Sequence, residues 1–176
     1  SLKTEAEKLE RQGDLEKAKV EARNAIQIEP KNAAARYTLA LIAEQKGEAG
    51  DMLQNLGIVA EVDPKNAAAR IKLGTLLVFA QDYEGAQMLA DDADKLTPDD
   101  PALHLLKARL LLQKEDVPGA LAQINRAIEV DPKNAEAALL RGLTLAPTDK
   151  EQGLADLTAS IERIGPKNAK ALRQAR

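Results

Sequence analysis

Few residues of this chain belong to types that do chemistry, and their spacing limits what they could do. His104 is the only histidine and cysteine is absent, so neither a zinc-thiolate site nor a thiolate nucleophile can be assembled, and the lone imidazole reads as a packing residue. Carboxylates stand side by side at Asp91-Asp92 and Asp99-Asp100. Adjacent residues on a helix diverge, and the second pair lies in a turn between Pro98 and Pro101, so neither pair is expected to do acid-base work. No phosphate loop, dinucleotide fingerprint or nucleophile elbow occurs. The chain is therefore expected to be no enzyme and to need no cofactor or metal.

The composition narrows the remaining classes. Charged residues make up 30% of the 176, nearly cancel to a formal net charge of -3, and form no long run of one sign. A phosphate-tracking surface is not expected, and nucleic acid is excluded as a partner. The apolar content is 44%, yet the only aromatics are Tyr37, Phe79 and Tyr83, so the core must be aliphatic. No apolar run approaches the ~18 residues that cross a bilayer. The chain is expected to be soluble, with no direct membrane insertion. Residues 1 to 12 are too charged for a secretory apolar region, which leaves open a signal or lipid anchor upstream of Ser1. Cytoplasm and periplasm both remain open.

The element that must position any functional residue is a repeat. Pro-Lys-Asn-Ala stands at Pro30, Pro64, Pro132 and Pro166, and Pro98-Asp99-Asp100-Pro101 fills the gap between the second and third copies, so the period is 34 residues. Proline cannot continue a helix, because it lacks the backbone donor and clashes with the preceding turn. Two residues on, Asn32, Asn66, Asp100, Asn134 and Asn168 are placed to cap the next helix. A second break follows at Gly13-Asp14, Gly47-Glu48, Gln81-Asp82, Glu115-Asp116 and Pro147-Thr148-Asp149, each read as a tight helix-to-helix turn. With each proline as position 32, small residues recur at position 8 (Ala6, Ala40, Gly74, Ala108, Gly142) and often at position 20 (Ala18, Ala86, Ala120), where they let two helices approach closely.

A 34-residue helix-turn-helix unit with these small positions and a closing proline resembles the tetratricopeptide repeat family across practically the whole chain. The resemblance implies an all-α, right-handed α-solenoid of about five repeats, taken as one domain over 1–176. The repeats fall at approximately 1–32, 33–66, 67–100, 101–134 and 135–168, with a C-terminal helix over 169–176 that either caps the array or begins a further unit. The family often carries Trp at position 4; here Leu2, Arg36, Arg70, His104 and Ala138 stand there. Two repeats deviate. In the second, Met52 and Val59 replace small residues and Gly50 and Gly57 weaken the helix by up to ~1 kcal/mol each, which predicts a bent or mobile hairpin. In the fifth, the second helix must slide by one residue to bring Gly153, Leu157 and Ser160 to the packed positions.

The resemblance also implies that positions 2, 5, 6, 9, 12 and 13 of the first helices line a concave groove. The groove begins polar, with Lys3, Thr4, Glu7 and Glu10, and becomes apolar. Its candidate contacts are Tyr37, Leu41, Ile71, Thr75, Phe79, Leu105, Leu106, Arg109, Leu112, Leu139 and Leu140. Leu105, Leu106 and Leu112 are expected to stay wet after the repeats pack, and so to ask for a cover. The carboxylate clamp of some family members would need, in order, Lys, Asn, Asn, Lys and Arg where this chain has Lys3, Glu7, Leu41, Ala68 and Lys72, and it is not formed. These features predict a protein-interaction scaffold whose partner is an amphipathic helix or extended apolar peptide. The competing reading is a spacer or self-associating part of a longer bacterial array, in the style of envelope proteins linked to exopolysaccharide export.

Overall fold

A computed structural model describes residues 2–164, and side chains from 5 to 163. The readings made for the side chains of Leu2, Lys3 and Thr4, for the copy at Pro166 with its cap Asn168, and for 169–176 lie outside the described residues. Within them every regular element is a helix: α1 (Leu2–Ile28), α2 (Ala33–Lys46), α3 (Ala49–Val62), α4 (Ala67–Phe79), α5 (Tyr83–Leu96), α6 (Pro101–Gln113), α7 (Val117–Val130), α8 (Ala135–Leu145) and α9 (Lys150–Ile164). Contacts sort these helices into two compact units, one ending at Ala80 and one beginning at Gln81.

The linker chemistry works as its residue types require. The side chains of Asn32, Asn66 and Asn134 accept from the backbone N–H of Ala35, Ala69 and Ala137 at 2.9, 3.0 and 2.9 Å. Asp100 accepts from Ala102 at 2.8 Å, with Pro101 opening α6. Each cap satisfies a donor that the first helical turn would otherwise leave unpaired. At the inner turns Asp82 and Asp116 repeat the device, accepting from Gly85 and Gly119 at 2.9 and 3.0 Å. One residue earlier the chain turns left-handed, with φ of 65° at Gln81 and 61° at Glu115, as it does at Gly47 with 71°.

The first hairpin departs from expectation. Gly13-Asp14 does not turn; α1 runs unbroken for 27 residues. Residues 5 to 14 are all exposed, and nothing lies within 4 Å of where a Cβ on Gly13 would sit. Without packing on this stretch, no tertiary contact selects the turn over continued helix. The expected bend in the second repeat meets an unbroken helix as well. α3 is fourteen residues long, the same as α5 and α7, with Met52, Leu56 and Val59 buried on its inner side. The larger side chains fill the interface with α2, and that burial outweighs the glycines. Gly57 has open space where a Cβ would stand. Gly57→Ala should therefore raise stability by about 0.5 to 1 kcal/mol, measured by urea unfolding, because alanine is the better helix former and no atom has to move.

In the second compact unit, Leu105, Ala108, Ala120, Ile124, Ala127, Ala137 and Leu140 form one cluster drawn from α6, α7 and α8, flanked by Leu111, Leu112, Leu121 and Ile128. α8 and α9 meet more closely still. A Cβ on Gly142 would stand 2.9 Å from the carbonyl oxygen of Gly153, so the two backbones touch where side chains are absent. Gly153 and Ser160 are buried and Leu157 half-buried, which is the arrangement that a one-residue slide of α9 requires. Beside this contact Arg141 grips the buried Asp156 with two bonds of 2.8 Å.

Candidate partner-binding faces

The first helices of the repeats are aimed by polar ties at position 4. Arg36 donates through Nε to the carbonyl of Pro30 at 2.8 Å and through Nη1 to Asn55 at 3.1 Å. Arg70 donates likewise to Pro64 at 2.9 Å and to the carbonyl of Ala60 at 3.1 Å. His104 sits in the same place, nearly buried, with one ring nitrogen 2.8 Å from Asp99 and the other 2.7 Å from Gln123. Each side chain fixes the linker to the helix that follows it. A planar guanidinium can donate to two acceptors at once, so it substitutes for the large aromatic ring this position often holds.

In the first compact unit the candidate face lies on α2 and α4. Tyr37, Leu41 and Thr75 are half-buried, Phe79 is 68% exposed, and Ile71 is buried. Thr75 donates its hydroxyl to the carbonyl of Ile71 at 2.9 Å, so that group is already engaged within the helix. The charges on this face engage each other: Lys72 of α4 donates to both carboxylate oxygens of Glu44 of α2, at 2.9 and 2.8 Å.

In the second compact unit the face lies on α6 and α8. Leu112 and Leu139 are half-buried, and Leu143 is 57% exposed. Arg109 of α6 pairs with Glu136 of α8 at 2.6 Å. The expectation that Leu105 and Leu106 stay wet is overturned, since they are 2% and 0% exposed. Leu105 is covered by the alanines and isoleucine of the α6–α7–α8 cluster. Leu140 and, in the first compact unit, Ile71 are also buried. These four residues build the wall of a face; the apolar groups left at its surface are Tyr37, Leu41, Phe79, Leu112, Leu139 and Leu143.

Asp99, from the degenerate linker, is the hub of a charged cluster. It accepts from Arg126 at 2.9 and 2.6 Å and lies 2.8 Å from the His104 ring. The Arg126 guanidinium, then the His104 ring, hold its carboxyl down at about 2. A carboxyl depressed in the folded state adds stability above its unfolded value near 3.8, and that contribution is lost as pH falls through about 2. A carbon-detected NMR titration should place the Asp99 midpoint near 2, and Arg126→Gln should move it upward.

Sequence reasoning did not point to a crease between α1, α2 and α3, a cavity of about 270 Å³. Among the residues that line it are the cations Lys19, Arg23 and Arg36 and the carboxylates Glu48 and Asp51. The opposed charges at positions 21 and 25 of one repeat and 16 and 19 of the next were the available signal. Among the described residues no group of histidine and carboxylate side chains could hold a metal ion, and no helix is long and apolar enough to cross a membrane.

Comparison with known proteins decides what kind of fold carries these faces. The tetratricopeptide repeat profile matches residues 41–110 and again 77–143, which together exceed half the chain. The chain belongs to the tetratricopeptide repeat family. This tetratricopeptide repeat protein is all-α, as its solved structural neighbours are, and in kind it is a protein-interaction scaffold. A thermophilic family member of Thermus thermophilus superposes with a TM-score of 0.70 at 19% identity, over 96% of this chain and 91% of that one. MamA from Desulfovibrio magneticus RS-1 gives 0.65 at 15% identity, over 92% of each chain. YrrB, described as a TPR protein with an unusual peptide-binding site, gives 0.61 at 23% identity over 90% of this chain and 82% of its own. At these identities the likeness is one of fold. No curated protein matches the chain.

Proposed function

We propose that each of the two faces can hold an apolar partner segment, an amphipathic helix or an extended peptide, the face in the first compact unit through Tyr37, Leu41, Thr75 and Phe79 and the face in the second through Leu112, Leu139 and Leu143. The observation that carries this reading is the internal pairing of the charges. Lys72 engages Glu44 and Arg109 engages Glu136, so a ligand that sought these charges would first have to displace a partner already in place. Half-buried and exposed apolar groups lie beside them, and rigid rings such as Tyr37 and Phe79 make good anchors. YrrB, of the same fold, is described as having a peptide-binding site, which supports a peptide as the class of ligand.

The test is selection of peptides from a random display library on the immobilised protein. Apolar or amphipathic peptides are expected, and the pair Phe79→Asp with Leu143→Asp should weaken them at least tenfold while the helical circular dichroism stays unchanged. Both side chains are exposed, so the fold tolerates the change. Selection of strongly charged peptides, or unchanged binding by the folded variant, would overturn the reading.

A further inference from the structure

The crease between α1, α2 and α3 carries charged groups with no ion pair of their own. Lys19 and Arg23 come from α1, and Glu48 and Asp51 from the start of α3. None of the four forms an ion pair among the described residues, and Lys46, at the end of α2, is already bonded to Glu16 at 2.7 Å. The two carboxylates depart from the repeat pattern together. Asp82 and Asp116, at the place of Glu48, cap the next helix by accepting from Gly85 and Gly119, whereas Glu48 makes no side-chain cap bond. A Cβ on either glycine would collide with the capping carboxylate. Where Glu48 does not cap, a side chain fits three residues on, and there it is Asp51. The equivalent crease of the second compact unit, between α5, α6 and α7, has the same volume of about 270 Å³, yet its polar lining is Lys107, Lys114, Gln87 and Gln123, with no carboxylate.

Charges of both signs in one cavity suit a ligand that carries both. An anion alone would meet Glu48 and Asp51, and a cation alone Lys19 and Arg23, each at the cost of like charges brought together. Apolar groups line the same cavity, Ile26 and Leu39 half-buried and Ile42 buried. Its inner wall is fixed by hydrogen bonds, since Arg36 donates to Asn55 at 3.1 Å and the Asn55 amide donates to the Asp51 carbonyl at 2.9 Å. At about 270 Å³ the cavity falls just below the ~300 to 1,000 Å³ of pockets for drug-sized ligands, and so suits one of amino-acid size. We propose that this crease binds a free aliphatic amino acid, its carboxylate held by Lys19 and Arg23, its ammonium by Glu48 and Asp51, and its side chain laid on Ile26 and Leu39. None of the residues assigned to the peptide-holding face lines the crease. The contrast with that face is one of charge: there Lys72 and Glu44 already engage each other, and here the charges are free to engage a ligand.

Amide-resolved NMR of the isotope-labelled chain tests this with three probes. L-leucine should give saturable shifts at millimolar concentration, centred on the amides around Lys19, Arg23 and Glu48 to Asn55. N-acetylleucine and leucinamide each lack one of the two charges and should bind at least tenfold more weakly. Lys19→Gln with Arg23→Gln, and separately Glu48→Gln with Asp51→Asn, should each weaken leucine at least tenfold while the helical circular dichroism stays unchanged. Arg23, Glu48 and Asp51 are exposed and Lys19 half-buried, so neither pair of substitutions takes an ion pair from the fold. The proposal is overturned if leucine gives no saturable shift up to tens of millimolar, or shifts only amides away from the crease. Equal binding of all three probes to the wild type, or undiminished leucine binding by the folded charge variants, would overturn it too.

Discussion

Leu106→Ala should lower stability by about 2 to 5 kcal/mol, the range for removing a large aliphatic side chain from a packed interior. Leu106 is 0% exposed, so the substitution removes packed methyl groups and leaves a cavity that the neighbouring helices can only partly close. For a chain of this length, that corresponds to a fall in melting temperature of roughly 5 to 15 °C, read by circular dichroism. The same variant should bind selected peptides with unchanged affinity below its melting temperature, because a buried side chain makes no contact with a ligand. Leu143→Ala should do the reverse, costing little stability and weakening the peptide. The pair of measurements separates the wall of the face from its surface, a distinction that helical position alone does not make.

Arg141→Ala is expected to have the next largest effect. Asp156 is 4% exposed and accepts two bonds from the guanidinium, with a third contact of 3.1 Å from Gln152. The pair holds the Arg141 guanidinium above its usual range, the hydrogen bond to Asp156 being the main cause. Removing the cation strands a carboxylate in a site with little water. Breaking a buried pair in this way costs about 3 to 5 kcal/mol when both partners are sealed. Arg141 is a quarter exposed and Gln152 stays in place, so about 2 to 3 kcal/mol is expected here. Arg141→Ala with Asp156→Ala should recover much of that loss, since it leaves no unpaired charge. A double variant no more stable than the single one would show that packing, not the charge, is what Arg141 supplies.

Most of the fold was legible because its punctuation is local. A proline that must end a helix and an asparagine that must cap one act within three or four residues, so Pro30-Asn32 and Pro132-Asn134 could be read without knowing any neighbour. The first turn failed for the complementary reason. Gly13-Asp14 has the right chemistry, but a turn is chosen by what packs across it, and none of the described residues packs there. The faces were legible only in outline. Leu105 and Leu106 occupy positions that the resemblance turns to the groove, yet burial depends on the size of residues one helix away: Ala137 and Ala120, in one cluster with Leu105, are small enough for it to be covered. Position 4 lacks the family's Trp, as the sequence shows, but what takes its place was not legible there. Its function passed to Arg36 and Arg70, whose acceptors include backbone carbonyls and so leave little trace in side-chain identity.

Thirteen of the twenty-five buried hydrophobic residues among those described are alanine. A methyl group takes little apolar surface out of water, so the alanine-lined helix pairs are held by close backbone approach more than by area. The rise in heat capacity on unfolding scales with newly hydrated apolar surface, and for this chain it should fall below the value typical of its length. Its free energy of folding then varies gently with temperature, a broad shallow dome in place of a narrow peak, and cooling should weaken it less than it weakens a leucine-rich bundle.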